Sequence, residues 1–437
     1  METVDLNKEV LKKIAIEEGE ELLHKEYPIS VIQKRVKVLV GADAGSTQTR
    51  IVIVDSLTEE PDTTAYSIPS TFSVVPNDVE IRAKSETLYG TLDSVIINQK
   101  VSAETIFDKV RVVRGTKKVD FGGAENRISS SMQKITSDVF YINLVDAIGY
   151  ALIQKYEGKI PSDVDLVLGV ALPPDDRQST ANQNRFRKEI IGEYSWTHND
   201  SSASVNINIA EAVIMTEPEA FIKAYYIENG LEIPEFVLHI NGGGRSIGVE
   251  LLENGVPIEK ASRSFYYGGT QLLDNLGNLI SKTEGGRPAK SVALAKAIKS
   301  GILANGRESK DVVSYIKTVK SEFADKIFTE VIKEVFDAQD RVAIEDVADI
   351  SVSGRLFDDG EYNISIADFL GKKFNSISPS TEFYAVAGNL IPLGLAYEVY
   401  SDYSGFIAED ESKVNYIGSG DLGIVDNGNA GNSANIG

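Results

Sequence analysis

Two glycine-bearing turns hold the residues best equipped to do chemistry. The first is Asp43-Ala44-Gly45-Ser46-Thr47-Gln48-Thr49-Arg50, where a carboxylate precedes a small, hydroxyl-rich turn and a cation follows it. Gly45 permits close backbone approach to a phosphate, and the N–H groups and hydroxyls of Ser46 and Thr47 can donate to its oxygens. Asp43 can hold a hydrated Mg²⁺ beside those oxygens, because Mg²⁺ takes one or two carboxylates and keeps several waters. Standing alone, such a turn reads as an ordinary hairpin. The second is Asn241-Gly242-Gly243-Gly244-Arg245-Ser246. Three successive glycines cost backbone entropy and mark a place where something comes close, or else a bulge.

The two turns sit in one internal repeat. Val38–Asp55 resembles Val237–Asn254, and one constant offset takes Asp43 to Asn241, Gly45 to Gly243, Ile51 to Val249 and Ile53 to Leu251. Each copy reads as two apolar strands around a glycine turn. Two similar halves, each offering a tight hairpin, form a natural clamp for one elongated anion.

The elements that must position these turns are strands and helices in mixed order. Near-continuous apolar runs recur at Val36–Val40, Ile51–Val54, Val164–Leu172, Phe236–Ile240 and Ile350–Val352, as expected of strands covered on both faces. Between them, Met132–Tyr156 and Ser321–Phe336 carry apolar residues three or four apart, which predicts helices. The fold class is therefore α/β. Residues 1–35 read as an amphipathic helical N-terminal extension, and 71–131 as an inserted smaller subdomain of short alternating pieces. The single Trp196 falls in a predicted loop, and His239, on a buried strand, reads as a core histidine. After 409 the chain becomes rich in Gly, Asn, Ser and Asp, the composition of a flexible tail.

Composition narrows the chemistry further. A chain of 437 residues, 42% hydrophobic and 25% charged, suits a globular protein of about two domains. It has no cysteine and three histidines, so thiolate metal sites are excluded and a histidine-based triad is not expected. No apolar run is long enough to span a membrane, and the charged N-terminus lacks the apolar core of a signal peptide, so a cytoplasmic location is expected. The formal charge of −21 repels nucleic-acid phosphates. Extensive direct binding to DNA is not expected, and any link to it would run through a basic adaptor.

Taken together, the two turns resemble the phosphate loops of the actin-like ATPase superfamily. Thr216-Glu217-Pro218-Glu219-Ala220 resembles that family's first interdomain connection. Phe383–Leu390 resembles the second, where a glycine lets the returning helix pass close to the first domain. Ser353-Gly354 stands where the family has its adenosine-binding glycines, and Gly268-Gly269 matches the turn and helix after the second loop. Ser67–Phe72 and Val164–Pro173 resemble steps of the plasmid-segregating, ParM-type branch. The resemblance implies an actin-like, ribonuclease H-like pair of domains with a nucleotide cleft between them. Domain I would cover 36–228, domain II 229–384, and a return to domain I 385–408. It also implies ATP (or GTP) with Mg²⁺, Asp43 as metal-side carboxylate, and Glu217 orienting the attacking water. The nucleotide would be held by Asp43, Gly45, Ser46, Thr47, Arg50, Asn241, Gly243, Gly244, Arg245, Gly268, Gly269, Ser353 and Gly354.

Several positions depart from that family's pattern. Asn241 replaces the aspartate that opens the second loop, and an amide is a weak Mg²⁺ ligand. Arg245 replaces a small hydroxyl residue, Arg50 a lysine, and Ser353 a glycine, while the segment before Lys37 has no counterpart. The expected function is assembly of the chain with itself into nucleotide-dependent filaments that position DNA, with slow ATP hydrolysis. The rivals are a non-hydrolysing scaffold of the same fold and a small-molecule kinase, for which no substrate-side motif stands out.

Overall fold

Strands that are apolar on both faces need cover on both faces, and the chain supplies it by building the same sheet twice. The computed structural model describes residues 29–45, 48–56, 62–70, 72–74, 92–99, 107–114, 125–126, 134–198, 203–285, 288–305, 308–357, 365–386 and 390–414. The first half runs β1 (Ser30–Ala44), β2 (Gln48–Val54), β3 (Ala65–Pro69), β4 (Phe72–Val74), β5 (Leu92–Asn98), β6 (Lys109–Arg114) and β7 (Glu125–Asn126). Helix α1 (Asp138–Lys155) and β8 (Lys159–Leu172) follow, then α2 (Pro174–Gln178), α3 (Thr180–Ile190), β9 (Gly192–His198), β10 (Ala203–Thr216) and α4 (Glu217–Glu228). The second half runs β11 (Phe236–Gly242), β12 (Ile247–Glu253), β13 (Val256–Phe265), α5 (Gly269–Glu284), α6 (Ser291–Ser300), β14 (Ile302–Asn305) and β15 (Glu308–Asp311). Helix α7 (Val313–Lys326) passes through a π-helical turn at Ile327–Ile332 into α8 (Lys333–Asp337). Then come β16 (Asp349–Ser353), α9 (Ile366–Ile377), β17 (Glu382–Val386) and α10 (Ile391–Val414), kinked at Tyr403.

The repeat seen in the sequence is a repeat in space. The first sheet contains the order β3-β2-β1-β8-β10, and the second is β13-β12-β11-β16-β17. In both, the first three strands are antiparallel hairpin partners and the last two run parallel to the central one. Between β12 and β13 the chain reverses at Asn254 and Gly255, both at positive φ (52° and 80°), the type I′ pattern that suits strand twist.

The first sheet then extends through β9, β5, β6, β4 and β7 to ten strands. It curls around α1, whose residues from Phe140 to Ile153 are all buried. A helix covered on every side cannot be amphipathic, so its polar residues must find partners inside. Asp146 accepts from Arg114 Nε (2.5 Å) on β6, from Trp196 Nε1 (2.9 Å) on β9 and from Ser94 on β5. Asn143 accepts from Arg114 (2.8 Å) and donates to Thr49 (2.5 Å) at the base of the first turn, where Thr49 also meets Ser70 (2.9 Å). Trp196, expected in a loop, is thus a buried strand residue, and Gly149 leaves the room its ring requires.

The opposite face of this sheet is covered by α10, which runs close over Gly41 and Gly169. Its apolar residues Ala396, Val399 and Ile407 pack with Leu39, Val52 and Val167. Helices α5, α7 and α9 cover the second sheet around Leu238, Ile240, Val249 and Ile350. Two expectations are corrected. Residues 30–35 are not helical but lengthen β1, pairing with β8 at Lys159–Asp163, because the strand needs that edge covered. Helix α10 runs on to Val414, into the segment from 409 onward expected to be a flexible tail. Residues 1–28 and 415–437 lie outside the described residues, as does most of 71–131. No described helix is long and apolar enough to cross a membrane.

Removing one partner of a fully buried ion pair leaves an uncompensated charge, at a cost of about 3–5 kcal/mol. Asp146→Ala is therefore expected to lower unfolding free energy by about that amount in urea titrations. Replacing Arg114 and Asp146 together by Met and Leu should cost markedly less than the sum of the single changes.

Candidate functional site

Both glycine turns close in the same way. In the first, Asp43 lies opposite Arg50 and the Gly45 N–H donates to the Gln48 carbonyl at 3.1 Å. In the second, Asn241 lies opposite Gly248 and the Gly243 N–H donates to the Ser246 carbonyl at 2.8 Å. A Cβ would lie 2.8 Å from that carbonyl at Gly45, where something would have to shift, and 3.1 Å from it at Gly243, a tight contact. The second turn is braced from behind. Gly269 N–H donates to Gly243 O (3.1 Å), Thr270 N–H to Gly244 O (2.7 Å), and a side chain on Gly268 would run into the Arg245 backbone. The start of α5 therefore holds the second loop in place.

Glu217 is brought to the second loop by its helix. The N-terminus of α4 is capped by Thr216, whose hydroxyl accepts from Glu219 N–H (3.0 Å) while Glu219 accepts from Thr216 N–H (3.2 Å). With the cap completed by those two residues, Glu217 is left to reach across to Asn241, whose Nδ2 donates to Glu217 Oε2 at 2.8 Å. Ser353 Oγ donates to the other side of that amide, Asn241 Oδ1, at 3.3 Å. Ser353 is 2.9 Å from His239 Nε2, and His239 Nδ1 is 2.7 Å from Ser351 Oγ. Burial drives the His239 pKa down to about 3, so the ring is neutral. One proton arrangement then satisfies every link: Ser351 donates to Nδ1, Nε2–H to Ser353, Ser353 to Asn241, and Asn241 to Glu217. His239 is a core histidine, stacked on Phe221 at 4.1 Å, and it also fixes the orientation of the Asn241 amide.

The halves meet along further contacts. Pro174 and Pro218 both come within 3.8 Å of a Cβ position on Gly248. Gln178 on α2 donates to the Glu259 and Ser262 carbonyls (2.8 Å each) on β13. Helices α4 and α10 cross so closely that a Cβ on Gly394 would overlap the Ala220 carbonyl.

Solved structures share this fold. An archaeal actin homologue aligns with a TM-score of 0.59 at 13% identity, over 83% of this chain and 99% of its own. It matches in its complex with ADP too (TM-score 0.57, 14% identity, 83% and 99% covered). The apo ParM protein of psk41 aligns at 0.57 and 12% identity, over 85% and 99%. The Alp12 filament structure aligns at 0.52 and 14%, over 84% and 99%. The chain has the actin-like fold. By sequence it matches no protein-family model and no curated protein.

Within this actin-like frame, the residues singled out by sequence take distinct places. Asp43 is buried (5% exposed) at the end of β1, and Arg50 Nη2 donates to Gln48 Oε1 at 3.3 Å. Ser46 and Thr47 lie outside the described residues. Gly244 and Arg245 are half-buried on the second loop, and among the described residues the Arg245 guanidinium has no hydrogen-bond or ion-pair partner. The Ser353 hydroxyl is turned inward to His239 and Asn241, and Gly354 adopts φ +92°, wedged 2.5 Å (Cβ position) from Gly242 O. Among the described residues no three acidic or histidine side chains converge on a metal position. The glycine at the close helix crossing is Gly394, whereas Gly388, within the segment expected to hold it, lies outside the described residues. Sequence reasoning missed Arg355 and Glu250.

Glu250 on β12 is fully buried and accepts from the Thr216 hydroxyl, joining the second sheet to the cap of α4. Burial, with Glu219 nearby, pushes its pKa up to about 8, and burial raises that of Glu219 as well. The folded chain therefore keeps a proton that the unfolded chain releases near pH 4. Stability is full below that range and falls as pH rises toward about 8. Urea midpoints should drop between about pH 6 and pH 8.5, and Glu250→Gln should flatten much of that drop, leaving the share due to Glu219.

Proposed function

We propose that this actin-like chain binds ATP with Mg²⁺ between its two glycine hairpins and assembles with itself into nucleotide-dependent filaments. The observation that carries the reading is the matched pair of hairpins, closed by equivalent Gly45 and Gly243 hydrogen bonds. Glu217 is held beside the second of them. The archaeal actin homologue in complex with ADP and the Alp12 filament, both of this fold, support it. Residues of the two turns, with Arg50, Arg245 and Gly354, would hold the nucleotide, and Asp43 the metal side. Bound Mg²⁺ would neutralise phosphate charge during phosphoryl transfer.

In this reading Glu217 orients the attacking water, and hydrolysis is slow because its carboxylate is already engaged by the Asn241 amide. Closure on nucleotide, with α4 and α10 as the joint, would reshape the surfaces that meet the next subunit. Positioning of plasmid or phage DNA would proceed through a basic adaptor, given the net charge of −21. The Asn241–Glu217 bond also favours a second reading, a filament or scaffold that binds nucleotide without hydrolysing it.

Sedimentation and negative-stain microscopy with Mg-ATP and without nucleotide test the main reading. Filaments are expected only with nucleotide, and Asp43→Ala should abolish them or weaken Mg-ATP binding. The same polymer level with and without nucleotide would refute it. Phosphate release separates the two readings. Glu217→Ala should slow it by on the order of a hundredfold, the low end for loss of an acid–base group. Asn241→Asp, which sets a second carboxylate against Glu217 and frees it from the amide, should speed release and shorten filament lifetime.

A further inference from the structure

Arg355 is the one exposed side chain in an otherwise buried or half-buried run from Ser351 to Phe357. Its backbone is fixed on both sides. Gly354 before it is wedged between Gly242 O and Asn241 Oδ1, and Leu356 N–H after it donates to Gly242 O at 3.1 Å. Leu356 and Phe357 then bury themselves against Gly242. The turn is thus stapled to the second glycine loop, with the guanidinium left outside. That guanidinium crosses to the other half of the molecule, where Arg355 Nη2 donates to Gln48 Oε1 at 3.2 Å. The same amide oxygen accepts from Arg50 Nη2 at 3.3 Å.

Two like charges from opposite halves therefore meet at one neutral acceptor. An amide oxygen is a poor counterpart for the Arg355 guanidinium, a group built to bind oxyanions in a forked geometry. Among the described residues Arg355 has no carboxylate partner. Arg245, on the loop to which the Arg355 turn is stapled, likewise has none. Three arginines around two glycine turns outnumber the two carboxylates there, Asp43 and Glu217, in a chain of net charge −21.

We propose that Arg355 completes the phosphate site from the far side of the cleft, with Arg355 and Arg50 binding a shared oxyanion whose place Gln48 Oε1 takes here. The ligand class is a nucleoside di- or triphosphate, so the proposal rests on the nucleotide reading above. The contact spans both halves and forms only when they are close. Phosphate binding there favours the closed cleft over the open one.

The test is calorimetric titration of the full chain with Mg-ATP at low and moderate salt. Arg355→Gln keeps an exposed polar side chain and removes the charge. It is expected to weaken binding about tenfold, as for loss of a hydrogen bond to a charged group, and to reduce the salt dependence. Arg355→Lys should recover part of the loss. Gln48→Ala should bind at least as tightly as the parent, because the competing acceptor is gone. Unchanged affinity and salt dependence in Arg355→Gln would overturn the proposal. So would an equal loss in Gln48→Ala, which would make the contact a simple latch. A parent chain that binds no nucleotide would overturn the nucleotide reading and the proposal together.

Discussion

The contact between α4 and α10 at Gly394 constrains everything else. Both helices lie where the chain passes between the two sheets, and the absence of a side chain at Gly394 lets their backbones touch at Ala220. The crossing is reinforced at its flanks by the Lys223–Glu398 ion pair and by Tyr397 donating to Glu228. On the outer side, Tyr225 stacks on Tyr384 at 5.0 Å, and Tyr226 donates to Asp349. Because α4 begins at Glu217, the angle at this crossing sets how far that carboxylate stands from the second loop. The helix crossing and the Glu217–Asn241 contact are therefore linked through a single helix.

The site is built from weak parts that are each over-determined. Asn241 alone would be a rotatable amide; between Ser353 and Glu217 only one of its two orientations satisfies both neighbours. The buried, neutral His239 makes that choice permanent without adding charge. The first loop is anchored through Thr49 and Asn143 to Arg114 and Asp146, a chain that ends on the far strands of the large sheet. A change in those distant strands therefore has a polar path to the base of the first turn.

Much of this was legible in the sequence because hairpin register is a local property. Asp43 opposite Arg50 and Asn241 opposite Gly248 follow from spacing within a few residues, and the constant offset between the copies carries the rest of the architecture. The apolar runs gave the buried strands for the same reason. What stayed hidden depends on partners far apart in the chain. Trp196 looks like a loop residue until Asp146 and the gap at Gly149 are known. Glu250 and Arg355 carry no motif, and their meaning comes from Thr216 and Gln48 on the other half. Residues 30–35 look helical in isolation and become strand because β8 offers them an edge.

The parallel pairing of β1 with β8 has a consequence for how the chain is made. Val40 must wait for Leu168, and β8 in turn for β10, before the centre of the first sheet can close. At ribosomal speeds of about 5–20 residues per second, that wait is on the order of ten seconds. Through it, a strand apolar on both faces relies for cover on its hairpin partner β2, itself paired with β3, and on α1. Contacts of such long sequence separation also fold slowly once the chain is complete. The nascent first half is thus the stage at which this protein most needs protection from other chains.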